Sequence, residues 1–416
     1  MNKVLYIVAN PFNFSRQSVG GNISSASGVI NGFRELGYCV DVVTDSKVPT
    51  LEEDTENLVT IFYPYRFIRS MIPYNLKGFL GRLFNKFDHM FFRYAMKKRV
   101  AELIKSNSYD FCYMRASYNG HLAAKVIKKN NINLIVEVNK PLSMGPYNAK
   151  DKLDWPKKNQ KVKVPEAEKI QYECAKVITI DSSIRAKWVT EFVDYKYNEK
   201  IIVNPNGVNT EMFSPGNFKE KTIKELDVSQ EDILVGMASS FRWYNDIDEL
   251  CLILSRALKK KKNLKFIMIV GNKEKQIELK SKIKNYGLND NTKILFQVPF
   301  SKMPEVLNCC DILLSHFNFH GRWPHNCSIK HLEYLSLGKP TVATDVGEVN
   351  FAIENEVNGI LCKEGDIENF ANAIIRLAKE PELRHNFGIS GRSKALKEHS
   401  WKANVSRILN FYSKLN

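Results

Sequence analysis

Apolar residues in this chain fall in short runs separated by stretches with helical spacing. Residues 4–9, 39–44, 109–113, 133–138 and 177–180 each read as a buried strand. Short apolar runs of this length suit parallel strands covered on both faces. A helical stretch runs up to Leu36 and stops at Gly37, and another covers 121–129. The pattern then starts again. Residues 234–238, 265–270, 293–296, 312–314, 341–343 and 359–361 read as further strands, with helices between them. Such alternation predicts an α/β chain with two doubly wound, Rossmann-like sheets. A length of 416 residues suits two domains, at roughly 200 residues each.

The stretch 316–347, HFNFHGRWPHNCSIKHLEYLSLGKPTVATDVG, carries the densest chemistry. A loop of His, Asn, Gly, Trp and Pro follows the strand at 312–314. Ser328 then takes the place of a helix N-cap, and Ile329, Leu332, Leu335 and Leu337 supply apolar faces. Gly338 ends that helix and Pro340 forbids its return. In an open parallel sheet, ligands bind beyond the carboxyl ends of the strands. A helix N-terminus there offers free N–H groups and partial positive charge, which suits a phosphate. Glu333, about one turn along, is placed to accept two hydroxyls of a ribose. At the end of the strand at 133–138, the run EVNKP points Glu137 and Asn139 toward a cleft.

The run SIKHLEYLSLGKPTVATDVGE resembles the donor-site signature of the retaining glycosyltransferases of family 4, which have the GT-B fold. Glu333, Gly338 and Pro340 match that signature. Ser328, Lys330, Glu333 and Tyr334 fit the Ser-x-Lys-x-x-Glu-Tyr version found in some branches. The family's other glutamate, eight positions earlier, is His325 in this chain. The resemblance covers nearly the whole sequence. Gly20 and Gly21 stand where a Gly-Gly loop lines the cleft opposite the donor phosphates. KIIVNPNGVNTEMFSP, residues 200–215, matches the interdomain segment. SSFRWYNDIDEL stands for the family's Gly-Arg-x-x-x-x-Lys-Gly run. Ser240 and Asn245 occupy its usual basic positions, with Arg242 between them.

The resemblance implies a first, acceptor-side domain over 1–205 and a nucleotide-sugar domain over 206–394. It returns the terminal segment 395–416 to the first domain. It implies Arg242 and Lys330 on the donor diphosphate and Glu333 on the ribose as the catalytic set. Gly20, Gly21, Ser240, His325, Asn326, Ser328 and Ile329 complete the donor site, and Val298 holds the base through backbone groups. Glu137 and Asn139 lie on the acceptor side. The implied reaction is hexosyl transfer with retention, from a nucleotide-diphosphate sugar to a hydroxyl of a glycan or lipid-linked acceptor. Bacterial cell-surface polysaccharide synthesis is the setting. No protein nucleophile, metal or cofactor is called for. A sugar-nucleotide epimerase of the same fold remains open through Glu137. A phosphorylase would need a lysine-bound pyridoxal phosphate, for which there is no sign. A non-catalytic partner protein is favoured by the missing glutamate and the shifted basic pair.

His316, His320, His325 and His331 gather around this stretch. The spacing of the first two would suit a metal pair on a helix. On a loop without a third ligand, polar contact with the donor sugar is the better reading. The net charge of +16, from 61 basic and 45 acidic residues, suits either a lysine-rich solvated surface or an anionic partner. Basic residues concentrate over 66–105. There Phe79, Leu80, Leu83, Phe84, Phe87, Met90, Phe91 and Tyr94 recur at helical spacing, with Arg82, Lys86 and Arg93 opposite. This segment reads either as a core-packed helix or as one lying on an anionic membrane surface. No recognised module accompanies the charge, which argues against nucleic acid. The eight cysteines form no C-x-x-C pair and read as reduced thiols. No run has the length of a signal peptide core or a membrane span. The expectation is a cytoplasmic protein, peripheral on the inner face of the cell membrane.

Overall fold

A computed structural model describes residues 2–9, 21–44, 58–60, 79–145, 162–216, 228–229, 231–241, 244–319 and 328–415. Side chains are described for these except at 21–24, 58–60, 79–86 and 88. The chain forms two compact units.

The first unit contains β1 (Lys3–Val8), α1 (Gly21–Glu35), β2 (Cys39–Thr44), β3 (Leu58–Thr60), α2 (Phe79–Ser106), β4 (Phe111–Arg115) and α3 (His121–Lys129). It continues with β5 (Leu134–Val138), α4 (Glu166–Cys174), β6 (Val177–Ile180), α5 (Ser183–Trp188) and β7 (Ile201–Val203). Its sheet is parallel throughout, in the order β3-β2-β1-β4-β5-β6-β7. The strands are apolar on both faces because both faces are covered. On one face Leu5, Ile7, Cys112, Met114, Leu134 and Val136 pack with Phe92, Met96 and Val100 of α2 and Ile127 of α3. On the other, Tyr6 stacks on Tyr113 at 5.3 Å, and Phe33 of α1 meets Tyr113 edge-on at 5.4 Å. β3 and β7 lie beyond the predicted strands. Each has three residues, and Ile201–Val203 is the start of the stretch read as the interdomain segment.

The described residues of the second unit lie within Asn206–Ala403. It contains β8 (Ile233–Ser239), α6 (Ile247–Lys260), β9 (Leu264–Val270), α7 (Lys273–Asn285), β10 (Thr292–Phe296), α8 (Met303–Asn308) and β11 (Ile312–Ser315). Then come α9 (Ile329–Ser336), β12 (Thr341–Thr344), β13 (Gly359–Cys362), α10 (Ile367–Lys379) and α11 (Pro381–Lys394). This sheet is also parallel, in the order β10-β9-β8-β11-β12-β13. Strand order reverses at β8, so the loops after β8 and β11 flank a crevice at the carboxyl edge, where doubly wound sheets bind ligands. In the first unit the same reversal falls between β1 and β4.

The last helix, α12 (Trp401–Lys414), begins in the second unit, and the chain re-enters the first at Asn404. That is later than the expected 395. Residues 399–401 are held by the second unit: the Val208 N–H donates to the His399 carbonyl at 2.8 Å, and buried Trp401 covers Gly207. A Cβ at Gly207 would lie 2.8 Å from the Trp401 ring. Within the first unit, Tyr412 packs on Phe111 at 5.4 Å and its hydroxyl accepts from Asn133 at 2.8 Å. Among the described residues no helix is long and apolar enough to cross a membrane. The seven described cysteines are free thiols.

Candidate functional site

The site in the second unit is built on α9. Ser328 occupies the N-cap position, but its hydroxyl makes no capping bond. The helix ends in a Schellman motif. The Gly338 N–H donates to Leu335 O at 2.9 Å, and the Lys339 N–H to Tyr334 O at 3.1 Å. Gly338 takes a φ of 65°, a conformation glycine adopts without penalty. One face of α9 is nailed down. The Tyr334 hydroxyl accepts the Ala238 N–H at the end of β8, and the Ser336 hydroxyl donates to Phe213 O at 2.6 Å. His331 Nε2 lies 2.6 Å from the Ser315 hydroxyl at the end of β11. Arg392 of α11 donates to the carbonyls of Thr210, Phe213 and Ser336 from one nitrogen.

This anchoring leaves Lys330 and Glu333 half-buried on the remaining face, three residues apart. Burial pushes the Glu333 carboxyl up to about 7, with Lys330 opposing the shift. It pushes the Lys330 ammonium down to about 7, with Glu333 opposing. Lys330 Nζ also sits 4.2 Å from the centre of the Phe317 ring, a cation–π contact. The result is a carboxylate and an ammonium side by side, poorly solvated, at the crevice between β8 and β11. Such a pair can accept sugar hydroxyls and neutralise a phosphate.

The loop after β8 is occupied by structural bonds. The Ser239 hydroxyl donates to Asn245 Oδ1 at 2.8 Å, and Asn245 Nδ2 donates to His316 O at 2.8 Å. His316 Nε2 lies 3.0 Å from Glu249 of α6, and Asn318 donates to the other Glu249 oxygen. Asn245 is therefore a buried spacer, and Ser240 is exposed beside it. The expectation that the histidines touch the sugar is corrected for two of them. His316 and His331 are 1% and 2% exposed and are bonded to Glu249 and Ser315. Burial holds His331 well below its usual range, at about 3, so it is neutral. Tyr244, Phe317 and Phe319 form an aromatic cluster over this edge, with centroids 5.6 to 5.8 Å apart.

Val298 packs against the apolar cluster that includes Leu332, Tyr334 and Leu335, which sets its loop beside α9. Gly20, Arg242, His325 and Asn326 lie outside the described residues, as does His320. Gly21 is the first residue of α1. Ile329 opens α9 and is half-buried.

In the first unit Glu137 does not point freely into a cleft. It lies in β5 directly opposite Arg115 of β4, 7% exposed, with 3.4 Å between the charged groups. Its Oε2 is buried with no hydrogen-bond partner. Asn139, just beyond the strand, is half-buried, and its carbonyl accepts from Arg185, which also pairs with Asp181. Ser182 caps α5, its hydroxyl accepting the Arg185 N–H at 3.2 Å. Burial, then the neighbouring Arg185, pushes the Lys140 ammonium down to about 8. Among the described residues no three His, Cys, Asp or Glu are grouped to hold a metal ion.

The sequence reading missed Phe317, Glu249 and Arg392. No local pattern marks a helix arginine as the clasp of another helix's end, nor pairs His316 with a glutamate 67 positions earlier.

Residues 218–394, under half of the chain, match the family Glycosyl transferases group 1. A D-inositol 3-phosphate glycosyltransferase of Saccharomonospora viridis is 23% identical over 245 residues, 56% of this chain and 54% of that protein. The Escherichia coli UDP-Gal:alpha-D-GlcNAc-diphosphoundecaprenol alpha-1,3-galactosyltransferase is 27% identical over 193 residues, 44% of this chain and 46% of that one. The chain spans about half the length of the curated relatives it matches. Among solved structures, a glycosyltransferase of Rickettsia africae superposes with a TM-score of 0.71 at 18% identity, over 100% of this chain and 98% of that one. HepE of Anabaena in complex with UDP gives 0.68 at 16%, over 99% and 100%. The segment 218–394 is thus a glycosyl transferases group 1 domain, in a chain with the two Rossmann-like α/β units of the GT-B glycosyltransferases.

Proposed function

We propose that this protein is a retaining glycosyltransferase that moves a hexosyl group from a nucleotide-diphosphate sugar to a hydroxyl of a glycan or lipid-linked acceptor. The observation that carries this reading is the Lys330–Glu333 pair at the β8/β11 crevice. Glu333 accepts the ribose hydroxyls. Lys330, the α9 N-terminus and Arg242 take the negative charge that builds on the diphosphate as the glycosidic bond to it breaks. The acceptor hydroxyl attacks from the same face, so configuration is retained without a protein nucleophile or a metal. Ser240, Val298, His325, Asn326, Ser328 and Ile329 surround the donor, with Gly20 and Gly21 opposite its phosphates. Glu137 and Asn139 lie on the acceptor side. Solved relatives of the same fold hold UDP or UDP-glucose, and one is a lipopolysaccharide outer core galactosyltransferase. The last of these supports a role in cell-surface polysaccharide synthesis. We further propose that the enzyme works peripherally at the cytoplasmic face of the membrane. Transfer by purified protein from a panel of nucleotide sugars tests the reading. No donor binding and no transfer across the panel would leave a non-catalytic partner protein.

The pair also sets a pH dependence. A carboxyl whose folded pKa is raised disfavours folding as pH rises from its ordinary value through about 7. An ammonium whose folded pKa is lowered disfavours folding as pH falls from its ordinary value through about 7. Both penalties overlap near neutrality. Binding, however, needs Glu333 ionised, which fails below about 7, and Lys330 protonated, which fails above it. Donor affinity should therefore peak near pH 7 and fall on both sides, and proton uptake should accompany binding on the alkaline limb. Calorimetry from pH 5.5 to 9, in buffers of different ionisation enthalpy, reads both. A flat affinity profile would mean that the pair does not meet the donor.

A further inference from the structure

Lys330 and Glu333 stand three residues apart on α9, a spacing at which helix side chains are neighbours. Opposite charges so placed, on a poorly solvated face, attract each other strongly. Among the described residues, however, the two groups form no ion pair. The contact that Lys330 Nζ makes is with the Phe317 ring, 4.2 Å from its centre. The described residues offer the Glu333 carboxylate no hydrogen bond.

The ring is held independently of the ammonium. Phe317 lies just beyond β11, 8% exposed, and its N–H donates to the Thr344 hydroxyl at the end of β12 at 3.0 Å. Tyr244 of the loop after β8 meets the ring at 5.6 Å, Phe319 at 5.8 Å, and His331 of α9 edge-on at 6.1 Å. Contacts from the β8 loop, the end of β12 and α9 thus fix the ring where Lys330 reaches it. An aromatic face carries partial negative charge, so it attracts an ammonium without accepting its proton. A carboxylate would neutralise the ammonium, and a ring does not.

We propose that Phe317 is a positioning residue of the donor site: its ring draws the Lys330 ammonium away from Glu333, so that one charge stays available for the diphosphate and the other for the ribose. Without the ring, Lys330 folds back on Glu333 and the two neutralise each other. The assignment to diphosphate and ribose rests on the glycosyltransferase reading. The separation of the two charges does not. Among the described residues, the titratable groups around Lys330 are Glu333 and neutral His331 on its own helix. The adjoining elements bring Tyr244, which packs on Phe317, and His316, which is bonded to Glu249 of α6. Of these, Glu333 is the group that opposes the effect of burial on the ammonium. Closer approach of Glu333 therefore raises the pKa of Lys330, whereas loss of the cation–π contact alone lowers it.

The test is Phe317→Leu in the full chain, read first without donor. Competitive acetylation from about pH 5.5 to 10, resolved by mass spectrometry, follows the Lys330 amine. In the parent it should titrate near 7. In Phe317→Leu its midpoint should rise to about 8 or higher, and in Phe317→Leu/Glu333→Gln that rise should vanish. Phe317→Tyr, which keeps the ring face, should titrate like the parent. An unchanged or lowered midpoint in Phe317→Leu would overturn the proposal. So would a rise that persists in the double variant, which would assign it to water entering the space left by the ring. Thermal unfolding shows which variants are folded, and Phe317→Met takes the place of a leucine variant that does not fold. With a nucleotide sugar that binds the parent, Phe317→Leu should lower affinity about ten-fold. It should also broaden the pH profile, because the closed pair keeps Glu333 ionised to lower pH and Lys330 charged to higher pH. In a Lys330→Met background the leucine substitution should add little. A loss of affinity with the profile unchanged in shape would overturn the proposal. If the parent binds no donor but the acetylation results hold, the glycosyltransferase reading falls and the ring's hold on Lys330 stands.

Discussion

Glu333→Ala is expected to bind nucleotide-diphosphate sugars roughly 10- to 100-fold more weakly than the parent, at about 1.5–3 kcal/mol for lost charge-assisted hydrogen bonds. The fold should survive. Glu333 projects from the face of α9 that is not anchored, whereas the helix is held by Tyr334, Ser336 and His331. Removing a poorly solvated carboxyl also relieves the burial that pushes it up to about 7, so thermal stability near neutral pH should hold or rise. Glu333→Gln separates charge from shape, since the amide oxygen accepts one hydroxyl bond but the paired geometry is lost. Titration calorimetry with a binding nucleotide sugar gives the comparison. Parent-like affinity in the alanine variant would exclude Glu333 from the donor site and take the proposed function's main support with it.

The second large effect comes from a residue far from the reacting groups. Gly388→Ala is expected to destabilise the protein by about 1–2 kcal/mol, although alanine is the better helix former by about 1 kcal/mol. A Cβ at Gly388 would stand 2.3 Å from the Gly338 carbonyl oxygen, and that neighbour is backbone with no rotamer to escape into. α11 must then withdraw from the turn that closes α9. Because α9 carries Lys330 and Glu333, donor affinity should fall along with stability. Gly391→Ala provides the contrast. There the closest atom is Leu335 Cδ2 at 2.9 Å, the tip of a flexible side chain. Urea midpoints of the two variants should differ clearly, and a Gly388→Ala protein as stable as the parent would refute the packing argument.

Much of the frame was legible in the residues. The mainly apolar runs at 39–44, 177–180 and 312–314 are strands because a parallel sheet with both faces covered needs largely apolar segments. Gly338 and Pro340 mark the end of α9 because only a left-handed residue closes a Schellman motif. What stayed hidden depends on pairing between distant positions. Nothing local says that Asn245 fills a gap between Ser239 and His316, or that Glu137 meets Arg115 across two strands. Ser328 stands at the N-cap without capping, since position alone does not fix a hydroxyl's direction. In α2 the sequence offers two apolar stripes about equal in strength. The choice of Phe92, Met96 and Val100 as the inner one is made by the sheet they pack on.

The first unit is assembled from residues at both extremes of the chain, and this bears on how the protein matures. Its strands are all made before residue 205, yet Asn404, Arg407 and Tyr412 come only after the whole second unit has been synthesised. Arg407 binds Asn204 at 2.9 Å, Asn404 donates to the Pro205 carbonyl, and Tyr412 covers Phe111. A nascent chain thus holds an early sheet with one apolar edge uncovered while the later unit, whose strands and helices all lie in Asn206–Ala403, is ready to fold first. Completion of the first unit therefore waits on segments made after the second unit, so it is finished only on chains whose second unit has already been synthesised.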